Sequence, residues 1–241
     1  LAHNFVRTVF EDSKGHLLIG TYIGIQMYDP ATDNFTPLAK LEDTGETLES
    51  NINSFIERKN GEIWVSGNVL CKLDIKDHLL TVRKVDIAVT SPGSLFEDKK
   101  QNVWMAKGEE GVYQLTPDNQ LTLHLSKDNG YVKSICEDQR GNIYVGSIRK
   151  GLFIYDKERK TFVPVDLKEK GELPVCFLYS GIPNELYIGT DGKGVAIYNI
   201  RTHEISEYKF DNNYFDSGNS KIHSILKDNS GNLWLAVYQK G

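Results

Sequence analysis

Ile135-Cys136-Glu137-Asp138-Gln139-Arg140-Gly141-Asn142-Ile143-Tyr144-Val145-Gly146-Ser147 decides how this chain folds, because the stretch recurs in degenerate form five more times. Val132 to Glu137 alternates in the manner of a half-buried strand, and Asp138 to Asn142 reads as a tight turn. Gly141 supplies a positive φ there, and Asp138 is suited to bonding nearby backbone amides. Ile143 to Ser147 is a second strand, Gly151 to Asp156 a third, and Thr161 to Val165 a shorter, more polar fourth. The other copies run Val9 to Thr21, Phe55 to Gly67, Leu95 to Ala106, Leu178 to Thr190 and Ile225 to Ala236. Their turn positions, Gly15, Gly61, Gln101, Gly141, Asn184 and Gly231, are spaced by 46, 40, 40, 43 and 47 residues. Short strands repeating at that period are the mark of propeller blades. Nothing between the copies has the 3.6-residue apolar period of a helix.

The expected fold is therefore all-β: a β-propeller of five complete four-stranded blades plus a half blade, part of a seven-bladed ring. The blades fall near 6–38, 52–83, 94–125, 132–165 and 175–208, with the partial one over 222–241, all in one partial propeller domain spanning 1–241. An open arc leaves a strand edge beside Leu235 unpaired and the inner face near Val6 to Phe10 without a preceding blade. Such edges attract partners. The seam is expected to be covered by further chain, a second copy, or closure into a tighter ring.

The 241 residues carry a net charge of −5 with lysines and arginines scattered, which speaks against a nucleic-acid partner. The longest apolar runs, such as Leu17-Leu18-Ile19, are far shorter than the roughly 20 residues that span a bilayer. The chain opens Leu1-Ala2-His3 with no signal-like segment, so it is expected to be a piece of a longer protein. Cys71, Cys136 and Cys176 are too far apart for a disulfide framework or a zinc site and read as small buried hydrophobes.

Two recurring sets invite functional readings. Trp64, Trp104, Tyr144, Tyr187 and Trp234 share one repeat position, where the first copy has Leu18. A ring at one position of every blade is expected to fill the wedge between sheets rather than to stack on sugars. Asp12, Asp98, Asp138 and Asp228 are likewise expected to organise turns, not catalysis. The six histidines show no metal-ligand spacing, and no nucleophile elbow or phosphate loop is present. Gly189-Thr190-Asp191-Gly192-Lys193-Gly194 is a strand-to-strand turn, because no helix follows it.

With those residues in place, the chain resembles the two-component regulator propeller repeat family. The pattern Ile-Glu-Asp-x-x-Gly-Asn-Leu-Trp-Ile-Gly-Thr, followed by Gly-Leu-x-x-Tyr-Asp, is clearest over Val9 to Asp29, Ile135 to Asp156 and Ile225 to Ala236. Arg58 in place of the acid, Gln101 in place of glycine, and Ser180-Gly181-Ile182-Pro183 in the fifth turn depart from it. The resemblance implies the sensor part of a Bacteroides-type hybrid two-component histidine kinase. In such proteins two seven-bladed propellers precede a β-sandwich and a membrane helix, and the sensor responds to glycan fragments. It further implies a periplasmic segment of an inner-membrane protein, carbohydrate as ligand, and the rest of the sensor and kinase as partners. The parent is expected to be a homodimer, with no cofactor, and with membrane contact only through segments outside this sequence.

Loops joining second to third strands do not repeat, and variable loops on a repeated scaffold are where binding is carried. The candidates for binding are Tyr22, Asn68, Lys107, Arg149, Lys150, Asp191, Lys193 and Tyr238, with Tyr131 and Tyr214 as further aromatic platforms. The basic members suit acidic or hydroxyl-rich ligands, and the tyrosines suit sugar rings. The expected function is non-catalytic glycan sensing. The alternatives are a propeller enzyme acting on polysaccharide, using Asp191, Glu109 or Glu110, and a protein-binding scaffold.

Overall fold

The structure is a computed structural model that describes residues 1–125, 130–167, 173–210, 220–228 and 230–238. Among the described residues all regular structure is strand, and no helix is long and apolar enough to cross a membrane. The chain packs as two compact units, residues 1–105 and 106–241. In the first, β1 (Val6–Glu11), β2 (Leu17–Thr21), β3 (Ile25–Asp29) and β4 (Asn34–Phe35) form one antiparallel up-and-down sheet. A second holds β6 (Ser54–Glu57), β7 (Ile63–Ser66), β8 (Leu70–Lys76) and β9 (Leu79–Lys84). It gains a fifth strand, β5 (Lys40–Leu41), which pairs parallel with Thr81 and Val82 of β9. The sequence pattern had implied antiparallel pairing alone. A two-residue strand carries no readable period, so the addition was not foreseen.

The third sheet has the order β10 (Leu95–Glu97), β11 (Val103–Lys107), β12 (Gly111–Leu115), β13 (Leu121–Leu125), and the division between units falls inside β11. In the second unit β14 (Val132–Glu137), β15 (Ile143–Ser147), β16 (Gly151–Asp156) and β17 (Thr161–Pro164) form the fourth sheet. The fifth is built from β18 (Val175–Ile182), β19 (Glu185–Thr190), β20 (Val195–Asn199) and β21 (Ile205–Glu207). Finally, β22 (Ile222–Lys227) and β23 (Leu233–Val237) pair as two strands. These are five four-stranded β-propeller blades.

Each repeat position has a structural task. The turn aspartate folds its own hairpin: Asp138 Oδ1 accepts the amides of Arg140 and Asn142 at 2.8 Å, and Oδ2 accepts the Asn142 side-chain amide at 2.8 Å. Asp98 and Asp228 add the indole N–H of Trp104 and Trp234, each at 2.9 Å. The Trp234 indole, with the Asn232 amides, holds the Asp228 carboxyl down to about 2. Where Arg58 replaces the acid, Glu62 Oε2 accepts the Trp64 indole at 3.0 Å instead, and Arg58 turns to Glu97 of the next blade at 2.8 Å. The glutamate before the turn ties blades together, as Glu57 does by accepting the Ser13 amide at 2.7 Å.

The glycine ending the second strand makes room for the next blade. A Cβ on Gly20 would stand 2.6 Å from Ile52, and one on Gly189 would stand 2.8 Å from Ile222. These anchors are fully buried and feed cores such as the cluster of Tyr144, Leu152, Val175, Leu178 and Ile188. The three cysteines are buried and unpaired, and burial raises the Cys71 thiol to about 11 and the Cys136 thiol to about 12.

The aromatic set needs one correction. Trp64, Trp104, Tyr144 and Tyr187 are buried, but Trp234 is 62% exposed. Tyr144 is covered by Val175 and Leu178 of the following blade. Beyond β23, no described strand supplies such a cover. Val9 is the mirror case at 57% exposure, while its counterparts Phe55, Leu95, Ile135, Leu178 and Ile225 are all buried.

Candidate functional site

A buried hydroxyl after the glycine shapes three of the candidate loops, at Thr21, Ser147 and Thr190. Thr190 Oγ1 donates to the Gly194 carbonyl at 2.7 Å and accepts the Lys193 amide at 2.9 Å. Ser147 Oγ accepts the Lys150 amide at 3.2 Å, and Thr21 Oγ1 donates to the Gly24 carbonyl at 3.1 Å. The repeat thus fixes the loop backbones and leaves their side chains free to vary.

In the first unit, Tyr22 is exposed, with its ring beside those of His3 and Phe5 at 6.2 and 6.3 Å and the Arg7 guanidinium 5.8 Å from its centre. The Asn68 backbone N–H donates to Ser50 Oγ at 3.0 Å and its backbone carbonyl accepts the Ser91 N–H at 3.0 Å. It lines a cleft of about 650 Å³ whose polar wall is Glu46, Thr47, Glu49, Ser50 and Lys84. Leu41, Leu48 and Val69 form its apolar side. Among the described residues no side-chain ion pair engages Glu46, Glu49 or Lys84. A smaller cleft of about 200 Å³ near Lys72 contrasts with it, because four of its charged residues pair off as Glu62–Lys72 at 2.6 Å and Glu42–Arg83 at 4.0 Å.

In the second unit two of the four basic candidates, Lys107 and Arg149, meet acids. Lys107 binds Glu110 at 2.7 Å, and Arg149 binds Glu109 at 3.1 Å. The Lys107 ammonium draws the Glu110 carboxyl below its ordinary range. Asp191 binds Lys221 at 2.7 Å, which raises the lysine. Tyr238 donates its amide to the Lys221 carbonyl at 2.9 Å and sets its ring 5.7 Å from His223. Tyr131 is exposed, and Tyr214 lies outside the described residues. The sequence reading missed Glu46 and Glu49, which belong to a connection that repeats nowhere else, and Lys84 at the end of β9. It also missed Lys133, Lys221 and His223, although Lys133 and His223 hold the second position of their first strands, a shared register the repeat makes visible. Among the described residues no group of three His, Cys, Asp or Glu side chains is placed to hold a metal.

Repeated up-and-down blades locked by turn aspartates define a β-propeller repeat protein. The sequence profile described as Two component regulator propeller matches residues 1–22, 126–149 and 216–239. Over those three segments the chain is similar to the repeats of the two component regulator propeller family. No curated protein matches it at a significant level. Among solved structures it is similar to the extracellular domain assigned to the hybrid two component system BT3049 of B. thetaiotaomicron. That likeness has a TM-score of 0.79 at 20% identity, over 98% of this chain and 33% of the other. The corresponding domain of BT4673 from B. thetaiotaomicron gives 0.76 at 18%, over 98% and 33%. A catalytically inactive virginiamycin B lyase from Staphylococcus aureus gives 0.74 at 13%, over 98% and 79%. The chain thus spans about a third of the length of the two-component relatives.

Proposed function

We propose that this chain is an extracytoplasmic sensor segment of a hybrid two-component signalling protein, and that the Asn68 cleft takes a neutral carbohydrate. The observation that carries the ligand class is the cleft's lining: two carboxylates outside ion pairs, two hydroxyls, an amide and an ammonium face one apolar wall. Hydroxyl-rich rings with apolar faces meet those requirements, since each ring hydroxyl both donates and accepts. The family match and the likeness to two-component extracellular domains support the sensor role. In this reading the parent is a periplasm-facing inner-membrane homodimer whose propeller completes seven blades, and the blades transmit binding to a kinase. The catalytic alternative has only fold likeness to a lyase at 13% identity behind it.

Glycan-array screening followed by calorimetry on the 241-residue chain is the test. Neutral oligosaccharide binding that falls at least about tenfold in Asn68→Ala and Glu49→Gln, without product release, is the expected result. Turnover of the bound sugar, or binding indifferent to both substitutions, overturns the proposal.

A further inference from the structure

The inner strands of the second unit carry the same irregularity. In β14, Val132 pairs with Ser147 and Ser134 with Gly146, so Lys133 is an extra residue. In β18, Val175 pairs with Thr190 and Phe177 with Gly189, leaving Cys176 extra. In β22, Ile222 pairs with Val237 and Ser224 with Ala236, leaving His223 extra. A β-bulge re-aims the side chain it carries. β14 packs on β18 and β18 on β22, so the bulged strand β18 lies between the other two.

The groups at these bulges act on one another. His223 feels the charges of Lys133, Lys221 and Asp191, and Cys176 feels the same three. Tyr238 completes the surroundings of His223 from the segment after β23. Asp191 is matched to Lys221 at 2.7 Å. Lys133 is half-buried and makes no ion pair among the described residues. The cluster therefore has one lysine charge in excess, with an imidazole beside it. Excess positive charge with partly desolvated donors selects an anion, and hydrogen bonds to an ionised acceptor are the strong ones.

We propose that Lys133, Lys221 and His223 form an oxyanion site, which takes a carboxylate or sulfate group at the bulged ends of β14, β18 and β22. The site is independent of the Asn68 cleft, which lies in the other unit. His223 is exposed on β22, and its partial desolvation with the charges of the two lysines lowers its pKa, so without an anion the imidazole is neutral near neutral pH. A bound anion reverses that balance. His223 takes up a proton as the anion enters, and binding strengthens as pH falls from 7 toward 5.5.

The probes are inorganic sulfate, glucuronate and glucose 6-sulfate, with glucose as the neutral control, added to the whole chain and followed by calorimetry in two buffers of different ionisation enthalpy. Saturable binding of the anions but not glucose is expected, with proton uptake. Lys133→Met should weaken it about tenfold, and His223→Gln should abolish the uptake while retaining binding. Sulfate binding without glucuronate binding identifies a sulfate site, and the converse a carboxylate site; either supports the proposal. An unchanged thermal midpoint in each variant shows that the fold is intact, and Lys221→Met replaces any variant that fails this check. Equal response to glucose, no saturable anion binding, or binding unaffected by these substitutions overturns it.

Discussion

Gly189 lies against Ile222 of the next blade: a Cβ added to it would come 2.8 Å from Ile222 Cγ2 and 3.4 Å from Phe177 Cβ. Ile222 is fully buried, so it has little room to retreat. Overpacking of this kind costs about 1–3 kcal/mol. Gly189→Ala should lower stability by that amount in denaturant unfolding. The loss should shrink without vanishing when Ile222→Ala is present in both backgrounds, because the Cγ2 contact is removed while Ile222 Cβ stays 2.9 Å from the added Cβ. Additive losses would show that the glycine serves some other purpose.

Gln101 occupies the turn position that glycine fills in four other copies. Its φ is +65°, against +83° at Gly15 and Gly61. A side chain in the left-handed region is strained, and glycine relieves that at some cost in unfolded-state entropy. Gln101→Gly should raise the stability of the chain by about 0.5–1 kcal/mol, read as an upward shift in the urea midpoint with unchanged slope. The Arg58 contact survives, since it uses the Gln101 carbonyl at 3.2 Å.

The blades were legible because each repeat letter has one mechanical task that recurs: Asp138 folds a turn, Gly146 admits Val175, and Tyr144 fills a wedge. The burial of Trp234 was misread because burial belongs to the neighbour as much as to the residue. The cleft at Asn68 was half legible. Its loop was named from the repeat, but Glu46 and Glu49 come from a connection with no counterpart in other blades, where periodicity gives no signal. Lys107 and Arg149 looked available in sequence, and their acids, Glu110 and Glu109, neutralise them in space.

Glu62 provides a pH-dependent lock. Burial alone would raise its pKa, but the Lys72 ammonium, the Trp64 indole and Asn60 outweigh this and lower it from 4.5 to about 2. The folded value lies below the unfolded one, so the stabilisation is fully present above pH 4.5 and fades as pH falls toward 2. Glu62→Gln should therefore destabilise the chain at neutral pH and flatten its stability profile over that acid window. Circular-dichroism melts at intervals from pH 6 to pH 2 read the difference between the two proteins. Parallel profiles would mean that another carboxylate carries the acid response.

Leu226 and Trp234 are direct cross-strand partners, and both are exposed, whereas the equivalent pair Cys136 and Tyr144 is buried beneath the next blade. Val9 presents a separate uncovered apolar position in the first unit. At about 25 cal/mol per Å² of apolar surface, covering a Trp–Leu pair is worth on the order of a few kcal/mol. Millimolar association needs about 4 kcal/mol net and micromolar about 8, so this pair contributes part of what a self-association must supply. We expect light scattering over a dilution series to show the chain self-associating, and Trp234→Glu to lower the apparent mass. Val9→Glu tests the other face in the same experiment. If both variants leave the mass unchanged, association proceeds through other surfaces; a wild-type chain that stays monomeric throughout would show that water tolerates the exposed face.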